Sequence, residues 1–304
     1  MQTVLGSNGQ IGHELVQELY KSYTKKLRLV SRNPQRIHET DEIVSANLLN
    51  IEETKQAITG SEIVYFTVGL PMNSEMWENQ FIKMLENVIS ACEENNCKLV
   101  FFDNTYMYKK DASIQYENSP FEPTGRKSNV RAKMATLVEK AMNHSDLDLL
   151  IARAPEFYGP NKTQSITNTM IFNRIKAGKK PLIPLNDKVL RTLIWTPDAS
   201  RAVALLGNTE EAYNQTWHLP CDAPISYQNL IAICEAVLNK KINYTVIPFW
   251  QFKIASIFNH QVKELLELLP RYQQDNIFNS DKFKKAFPDF EVTTYKSGIK
   301  KILL

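Results

Sequence analysis

The chain is poor in the residues that mark metal and disulfide proteins. It has four cysteines, and their spacing contains neither a Cys-x-x-Cys pair nor a metal-ligand pattern. Its five histidines are scattered, without the close spacing of a zinc site. We therefore expect reduced thiols and no bound metal ion.

Excess charge and long apolar runs are also missing. The net charge is +3 over 304 residues, which is too small and too dispersed to favour nucleic-acid binding. No apolar run is long enough to span a bilayer, and the chain does not start with the basic and apolar segments of a secretory signal. We expect a cytoplasmic protein that binds neither nucleic acid nor membrane.

The most informative feature present is a glycine loop near the start of the chain. Gly6, Gly9 and Gly12 are spaced three residues apart, after a short apolar run and before an amphipathic helix pattern. Glycine permits the tight turn, the close approach of backbone to a phosphate and the packing of the helix on the strand. The free N–H groups at the helix start then attract an anion. The loop predicts a bound dinucleotide.

The first half of the chain alternates between strand-like and helix-like patterns. Such alternation predicts right-handed βαβ units and a parallel sheet with ligands at the carboxyl ends of its strands. We expect an α/β fold with a Rossmann-type, doubly wound sheet. The predicted strands cover residues 3–5, 27–30, 43–46, 63–68, 99–102 and 147–152, and the predicted helices cover 11–23, 77–94 and 130–142.

Prolines change the pattern in the second half. They recur from Pro155 to Pro224, and the last stretch, from Tyr227 on, is helical in pattern. We predict a dinucleotide-binding domain over residues 1–155, with a returning segment at about 190–220. Residues 156–189 and 221–304 would form a smaller, mostly C-terminal, substrate-binding lobe.

The residues after each predicted strand are candidates for holding the dinucleotide. No acidic residue follows the second strand to accept the ribose 2′-hydroxyl of NAD; Arg32 stands there and could pair with a 2′-phosphate. We therefore expect NADP to be preferred, with NAD as the alternative. The predicted cofactor contacts are Gly6, Asn8, Gly9, Gln10, Ile11, Gly12, Arg32, Asn47, Leu48, Thr67, Val68, Gly69 and Pro155.

Four later stretches, taken with the glycine loop, carry a family resemblance. They are residues 99–108 (LVFFDNTYMY), 151–160 (IARAPEFYGP), 194–202 (IWTPDASRA) and 217–231 (WHLPCDAPISYQNLI). In this order, they resemble the short-chain dehydrogenase/reductase superfamily and, within it, the NAD-dependent epimerase/dehydratase branch. The resemblance implies a Rossmann domain that binds NAD(P), a C-terminal substrate lobe and hydride transfer between substrate and nicotinamide.

The family's acid/base motif is altered in this chain. The resemblance implies a tyrosine, a lysine four residues later and a Ser or Thr that orients the substrate. The corresponding helix reads GRKSNVRAKM over residues 125–134. If Lys133 takes the lysine position, Asn129 takes that of the tyrosine; if Arg131 does, Lys127 stands at the tyrosine position. Asn104 or Thr105 occupies the Ser/Thr position.

Three hypotheses for the function follow. The chain is an oxidoreductase with a substitute acid/base, a non-catalytic NADP(H)-binding sensor or regulator, or a sugar-nucleotide epimerase or dehydratase, which the missing tyrosine weakens. Lys127 could serve as the base if its neighbours Arg126 and Arg131 favour its neutral form. The catalytic candidates are Asn104, Lys127, Arg131 and Tyr108, with Tyr106 and Tyr158 as further tyrosines at strand ends.

The substrate expected for these sites is a small molecule of unknown identity. Lys127 and Arg131 lie four residues apart and would share one helix face. That face is either solvated or directed at a phosphate or carboxylate of an anionic substrate. A homodimer is compatible with the sequence.

Overall fold

The computed structural model describes residues 1–161 and 163–304 and is built around a parallel β-sheet. In chain order the strands are β1 (Gln2–Leu5), β2 (Leu27–Ser31), β3 (Glu42–Ser45), β4 (Ile63–Phe66), β5 (Lys98–Asp103), β6 (Leu149–Arg153), β7 (Glu156–Tyr158), β8 (Leu182–Pro184), β9 (Leu190–Arg191), β10 (Leu193–Trp195), β11 (Gln215–His218), β12 (Ile225–Ser226) and β13 (Thr245–Ile247).

Seven of these strands form the central sheet, in the order β11-β6-β5-β4-β1-β2-β3. All of its pairings are parallel. The strand order reverses at β1, whose neighbours are β2 on one side and β4 on the other. A ligand is expected in the crevice at such a reversal, beyond the carboxyl ends of the strands. The predicted Rossmann-type fold is confirmed.

Helices cover both faces of this sheet. Helices α1 and α6 pack together on one face, while α2, α3 and α4 pack on the other. The helices are α1 (Gln10–Ser22), α2 (Ile51–Ile58), α3 (Ser74–Asn95), α4 (Arg126–His144), α5 (Asn173–Lys176), α6 (Thr196–Gly207), α7 (Tyr227–Leu238), α8 (Phe249–Phe258), α9 (His260–Leu265), α10 (Asp281–Ala286) and α11 (Tyr295–Leu303).

A separate apolar cluster lies in the second half of the chain. It contains Tyr158, Trp195 and Leu230, and the pairs β7–β10, β8–β13 and β9–β12 surround it. Phe278 and Phe283 instead pack into the cluster on the α1/α6 face of the central sheet. The C-terminal stretch therefore contributes to both cores. The division into domains stays a prediction of the sequence.

Capping residues explain where the helices differ from the sequence prediction. Helix α3 begins at Ser74 because the Asn73 side chain accepts a hydrogen bond from the Met76 N–H at 2.8 Å, and it ends before Asn96, which has a left-handed φ of 49°. Helix α4 begins at Arg126, four residues earlier than the apolar pattern indicates. Helix α2 was not expected, although Asn50 caps it.

Helix α8 presents the largest group of exposed apolar side chains. Trp250, Ile254, Ile257 and Phe258 are all more than half exposed to solvent. The helix has 10 residues. Within residues 1–161 and 163–304, no helix combines the length and the apolar character that a membrane crossing requires.

Candidate active site

The glycine loop forms a tight cradle at the start of α1. Gly6 has a φ of +84°, which side chains disfavour, and a Cβ on Gly12 would lie 2.5 Å from the Gly6 carbonyl oxygen. Gly9 precedes the helix and supplies no side-chain cap, so the N–H groups of the first turn point into the loop. The free backbone N–H groups and the absence of side chains on the glycines allow a phosphate group to bind at this helix end.

Asn8 ties this loop to the segment that follows β2. Its amide nitrogen donates to the Asn33 carbonyl at 2.7 Å, and its Oδ1 accepts from the Gln35 N–H at 3.2 Å. A cavity opens between these two segments, lined by Ser7, Asn8, His13, Gln17, Gln35, Arg36 and Ile37. Arg32 lies beside it at the end of β2, with an exposed side chain. The Asn8 side chain thus holds the glycine loop against the segment that follows β2 by hydrogen bonds within the protein.

The other predicted cofactor residues lie along the same edge of the sheet. Gln10 and Ile11 begin α1, where the Gln10 Oε1 accepts from the Gln164 N–H at 2.6 Å. The Thr67 hydroxyl donates to the Leu5 carbonyl at 2.8 Å and so links the ends of β4 and β1. The structure places the remaining candidates just after β3, β4 and β6: Asn47, Leu48, Val68, Gly69 and Pro155.

Helix α4 turns one of the two candidate pairs inward. Lys127 and Arg131 are buried, at 0% and 4% exposure, whereas Asn129 and Lys133 are exposed. Of the two registers considered for the family motif, the one with Lys127 and Arg131 is therefore the one whose side chains point into the protein. The alternative of a solvated Lys127–Arg131 face is excluded by this burial.

Lys127 is bound by groups from two distant parts of the chain. Its ammonium donates to the Ser74 hydroxyl at 2.8 Å, to the Glu264 carbonyl at 2.9 Å and to the Glu264 carboxylate, and Glu267 lies 3.2 Å away. An ammonium has three N–H groups, so these partners saturate it. Its closest charged partners are the carboxylates of Glu264 and Glu267, rather than the basic neighbours that the sequence led us to expect.

Glu264 and Glu267 also cap two helices. The Glu264 carboxylate accepts from the Ser74 N–H at 2.9 Å, and that of Glu267 accepts from the Lys127 N–H at 3.1 Å. Partial burial tends to raise the pKa of Glu264, but hydrogen bonds from Lys127 and Ser74 prevail and lower that pKa to about 2. This ion-pair cluster holds the end of α9 against the starts of α3 and α4.

Arg131 belongs to a second buried network, centred on Asp103. The Asp103 carboxylate accepts from the Arg131 Nε at 3.1 Å and from the Arg153 Nε at 3.0 Å. Arg153 also donates to the Tyr108 hydroxyl at 2.7 Å, and that hydroxyl lies 2.8 Å from His218 Nε2. Burial raises the pKa of Tyr108 to about 12, against the opposing charge of Arg153. Tyr108 is thus a poor proton acceptor near neutrality.

The remaining catalytic candidates are arranged differently. The Asn104 Oδ1 accepts from the Tyr106 N–H at 3.0 Å, which shapes the turn after β5. Tyr158 is buried in the apolar cluster of the second half of the chain, and this burial raises the pKa of its hydroxyl. Tyr106 is half-buried. The structure brings Asn104, Tyr106 and Arg131 to the carboxyl end of β5, while Tyr158 lies apart from them.

A third charged cluster was missed by sequence reasoning. The carboxylate of Glu156, at the start of β7, accepts from Arg191 at 2.8 Å and lies 4.0 Å from Arg271. Burial tends to raise the pKa of Glu156, but the positive charge of Arg191 outweighs it and the pKa is lowered. Two buried guanidinium groups share one carboxylate, which leaves an excess of positive charge. No spacing rule connects three residues so far apart in the sequence.

Comparisons with known proteins place the chain in a family. The model of the NAD dependent epimerase/dehydratase family matches residues 2–217. An uncharacterized protein, y4nL, from Sinorhizobium fredii is 24% identical over 220 residues, which is 68% of this chain and 60% of that protein. The chain therefore matches less than two thirds of the length of this relative.

Solved structures share the fold over nearly the whole chain. UDP-glucuronic acid 4-epimerase from Bacillus cereus, in complex with NAD, superposes with a TM-score of 0.79 at 14% identity, covering 99% of this chain and 96% of its own. WbmH from Bordetella bronchiseptica, in complex with NAD+, gives a TM-score of 0.74 at 16% identity, covering 98% and 95%. With the family model and the glycine cradle, they lead to one conclusion: the chain belongs to the NAD dependent epimerase/dehydratase family.

Proposed function

We propose that the protein is an oxidoreductase of the epimerase/dehydratase type that uses a nicotinamide dinucleotide and acts on a small anionic substrate. The observation that carries the proposal is the glycine cradle, where a Cβ on Gly12 would occupy the loop. It lies at the same sheet edge as Asn104 and Arg131. The dinucleotide would then bind, and the substrate would react, at the carboxyl ends of β1, β4 and β5.

The dinucleotide we favour is NADP, with NAD as the alternative. The N–H groups at the start of α1 would hold the pyrophosphate. Arg32, exposed after β2, and Arg36, at the cavity beside the loop, would attract a 2′-phosphate. Asn47 and Leu48 would lie near the adenine, and Thr67–Gly69 near the ribose. When bound, the dinucleotide would accept or return a hydride.

Positive charge on the lobe side supports an anionic substrate. Arg191 and Arg271 share the single carboxylate of Glu156, and Lys110 lines a small cavity together with Arg271. Sugar nucleotides have the required charge, and the Bacillus cereus neighbour was solved with UDP-glucuronic acid and NAD. We therefore propose the sugar-nucleotide class as substrate. A homodimer and a cytoplasmic location stay predictions of the sequence.

Titration calorimetry tests both parts of the proposal. We expect NADP+ to bind more tightly than NAD+, and UDP-glucuronic acid to bind the dinucleotide-loaded protein. Arg271→Gln should weaken UDP-glucuronic acid at least tenfold, about 1.4 kcal/mol, while the exposed Arg126→Gln leaves it unchanged. Failure of both dinucleotides to bind would disprove the cofactor assignment. Reduction of the dinucleotide, followed by its absorbance, reports turnover.

A non-catalytic sensor is the second candidate. The observation in its favour is that the ammonium N–H groups of Lys127, the residue that we assign to the position of the family tyrosine, are all bound within the protein. A sensor would bind NADPH and change its structure without oxidising it. Tight NADPH binding, with no dinucleotide turnover over a panel of sugar nucleotides and carbonyl compounds, would favour this function.

A further inference from the structure

The turn after β5 carries a tyrosine that the buried networks leave accessible. Lys127 is saturated and Tyr108 is enclosed by Arg153 and His218, whereas Tyr106 is half-buried and lies at the carboxyl end of β5. A general acid or base must reach its substrate. Of the three tyrosines at strand ends, Tyr106 meets this requirement best.

Contacts of the Tyr106 ring place it beside the segment that follows β4. The ring stacks on Trp77, with centroids 6.2 Å apart and planes 9° apart. The Trp77 Nε1 donates to the Pro71 carbonyl at 2.7 Å, in the segment that follows β4. Tyr106 is therefore next to the loop that begins at Thr67–Gly69, across which the dinucleotide is proposed to lie.

Two cations accompany this tyrosine. Lys110, four residues later, lines the same small cavity as Tyr106, and the Arg271 guanidinium lies 5.0 Å from the Tyr106 ring centroid. The Lys110 ammonium donates to the carbonyls of Thr124 and, at 2.8 Å, Glu267. One of its three N–H groups remains after these two bonds. The small cavity suits a single hydroxyl or carbonyl group.

The charge of Lys110 responds to its surroundings. Burial lowers the pKa of Lys110 to about 8, with Glu267 acting against this shift and the positive charges of Arg271 and Lys127 adding to it. A partly buried lysine that titrates near neutrality in a cleft is typical of functional sites. Lys110 therefore combines suitable geometry with a suitable charge state.

We propose that Tyr106 is the catalytic acid/base of this protein and that Lys110 is its positioning residue, so that a tyrosine–lysine pair after β5 replaces the pair missing from α4. The assignment of catalysis rests on the proposed function. With a secondary alcohol substrate, Tyr106 as the phenolate would accept the hydroxyl proton, and the dinucleotide, when bound in its oxidised form, would supply the acceptor for the hydride of the carbinol carbon. The ketone, the reduced dinucleotide and the neutral phenol would account for all atoms and electrons.

Nitration of the protein without cofactor tests the pair directly. Tetranitromethane reacts with the phenolate form, and peptide mass spectrometry locates the product. We expect Tyr106 to be nitrated about fivefold faster than the more exposed Tyr116, because Lys110 lines the same cavity and the Arg271 guanidinium lies 5.0 Å from the Tyr106 ring centroid. Lys110→Met should abolish this preference and Lys110→Arg should keep it. Slower nitration of Tyr106 than of Tyr116, or a preference that survives in Lys110→Met, overturns the proposal.

Kinetics with NADP+ or NAD+ and UDP-glucuronic acid provide the second readout. Tyr106→Phe should lower kcat about 100-fold with little change in dinucleotide Kd, whereas Tyr116→Phe and Lys133→Met should keep both values. Unchanged kcat in Tyr106→Phe overturns the proposal. If no dinucleotide binds, the proposed function fails, and the nitration result still decides whether Tyr106 and Lys110 form a pair.

Discussion

The candidate site has a glycine side, at the loop before α1, and an α4 side, and the two are built by different means. On the glycine side, backbone and the absence of side chains make the site, through Gly6, Gly12 and the open start of α1. On the α4 side, charged side chains form it, with Lys127 held by Glu264 and Arg131 held by Asp103. The first arrangement is local in the sequence, while the second includes a contact between residues 137 positions apart, Lys127 and Glu264.

This difference suggests which properties a family member retains most easily. A phosphate cradle depends on a few glycines, whereas an acid/base group depends on its neighbours for both position and charge. Around Lys127, the carboxylates come from α9 and the turn that follows it.

The largest effect is expected on stability, from a substitution on the α4 side. Asp103→Asn leaves Arg131 and Arg153 buried without their shared carboxylate, so unfolding free energy should fall by about 3–5 kcal/mol. Urea denaturation measures the loss. Asp146→Asn, at an exposed site, serves as the control and should change little. Equal losses in the two variants would contradict a central role for Asp103.

The next largest effect is expected on dinucleotide affinity, from a substitution on the glycine side. The Cβ in Gly12→Ala would lie 2.5 Å from the Gly6 oxygen and 2.9 Å from the Thr67 Oγ1. We expect dinucleotide affinity to fall about 100-fold, or ~2.7 kcal/mol, by calorimetry. Gly60→Asn is the control, because a Cβ at Gly60 meets nothing within 4 Å and asparagine tolerates its φ of +74°. Wild-type affinity in Gly12→Ala would argue against the cradle.

A smaller effect is expected from Glu264, with a pH dependence that identifies it. Glu264→Gln should lose about 1–3 kcal/mol at neutral pH, because a charged hydrogen bond to Lys127 is removed. The folded pKa of about 2 is below that of an unfolded glutamate. The stabilisation is therefore complete above about pH 4.3 and is lost as pH falls towards 2.

Thermal unfolding of both proteins from neutral to acidic pH measures this dependence. The difference between wild type and Glu264→Gln should shrink as the carboxylate of wild type is protonated. Glu39→Gln, at an exposed position, should show no such convergence. A constant difference down to pH 2 would mean that the Lys127 pair does not stabilise the fold.

The smallest effect is expected on the choice between NADP+ and NAD+. Arg32→Ala should weaken NADP+ binding about tenfold, or ~1.4 kcal/mol, and NAD+ binding much less, because only NADP+ carries the 2′-phosphate. Lys21→Ala removes the same charge at the far end of α1 and is the control. Equal weakening of the two dinucleotides would refute the role of Arg32.

Local patterns predicted the fold well. The glycine spacing, the apolar strands and the stripe of α1 depend on neighbours within a few residues, and the parallel sheet follows from their order. Helix α2 was missed because its apolar face is short, although Asn50 and Glu53 form a cap signal. The family resemblance supported the prediction of cofactor contacts at the carboxyl edge of the sheet, whose shape depends mainly on the backbone.

The chemical side could not be predicted in the same way. Nothing near Lys127 in the sequence indicates that Glu264 and Glu267 will surround it, since their contacts depend on the packing of α9. A basic stretch is ordinarily solvated, so the burial of Lys127 and Arg131 contradicts the simplest interpretation. Asp103 offered the clearest signal, a carboxylate at the end of an apolar strand.

The separation between Lys127 and its carboxylates has a consequence during synthesis. Lys127 leaves the ribosome 137 residues before Glu264. Until then its ammonium has no carboxylate from α9 and stays hydrated, so the starts of α3 and α4 cannot close over it. The glycine loop can take shape on the nascent chain, whereas the opposite wall of the cleft is completed only after translation has passed residue 264.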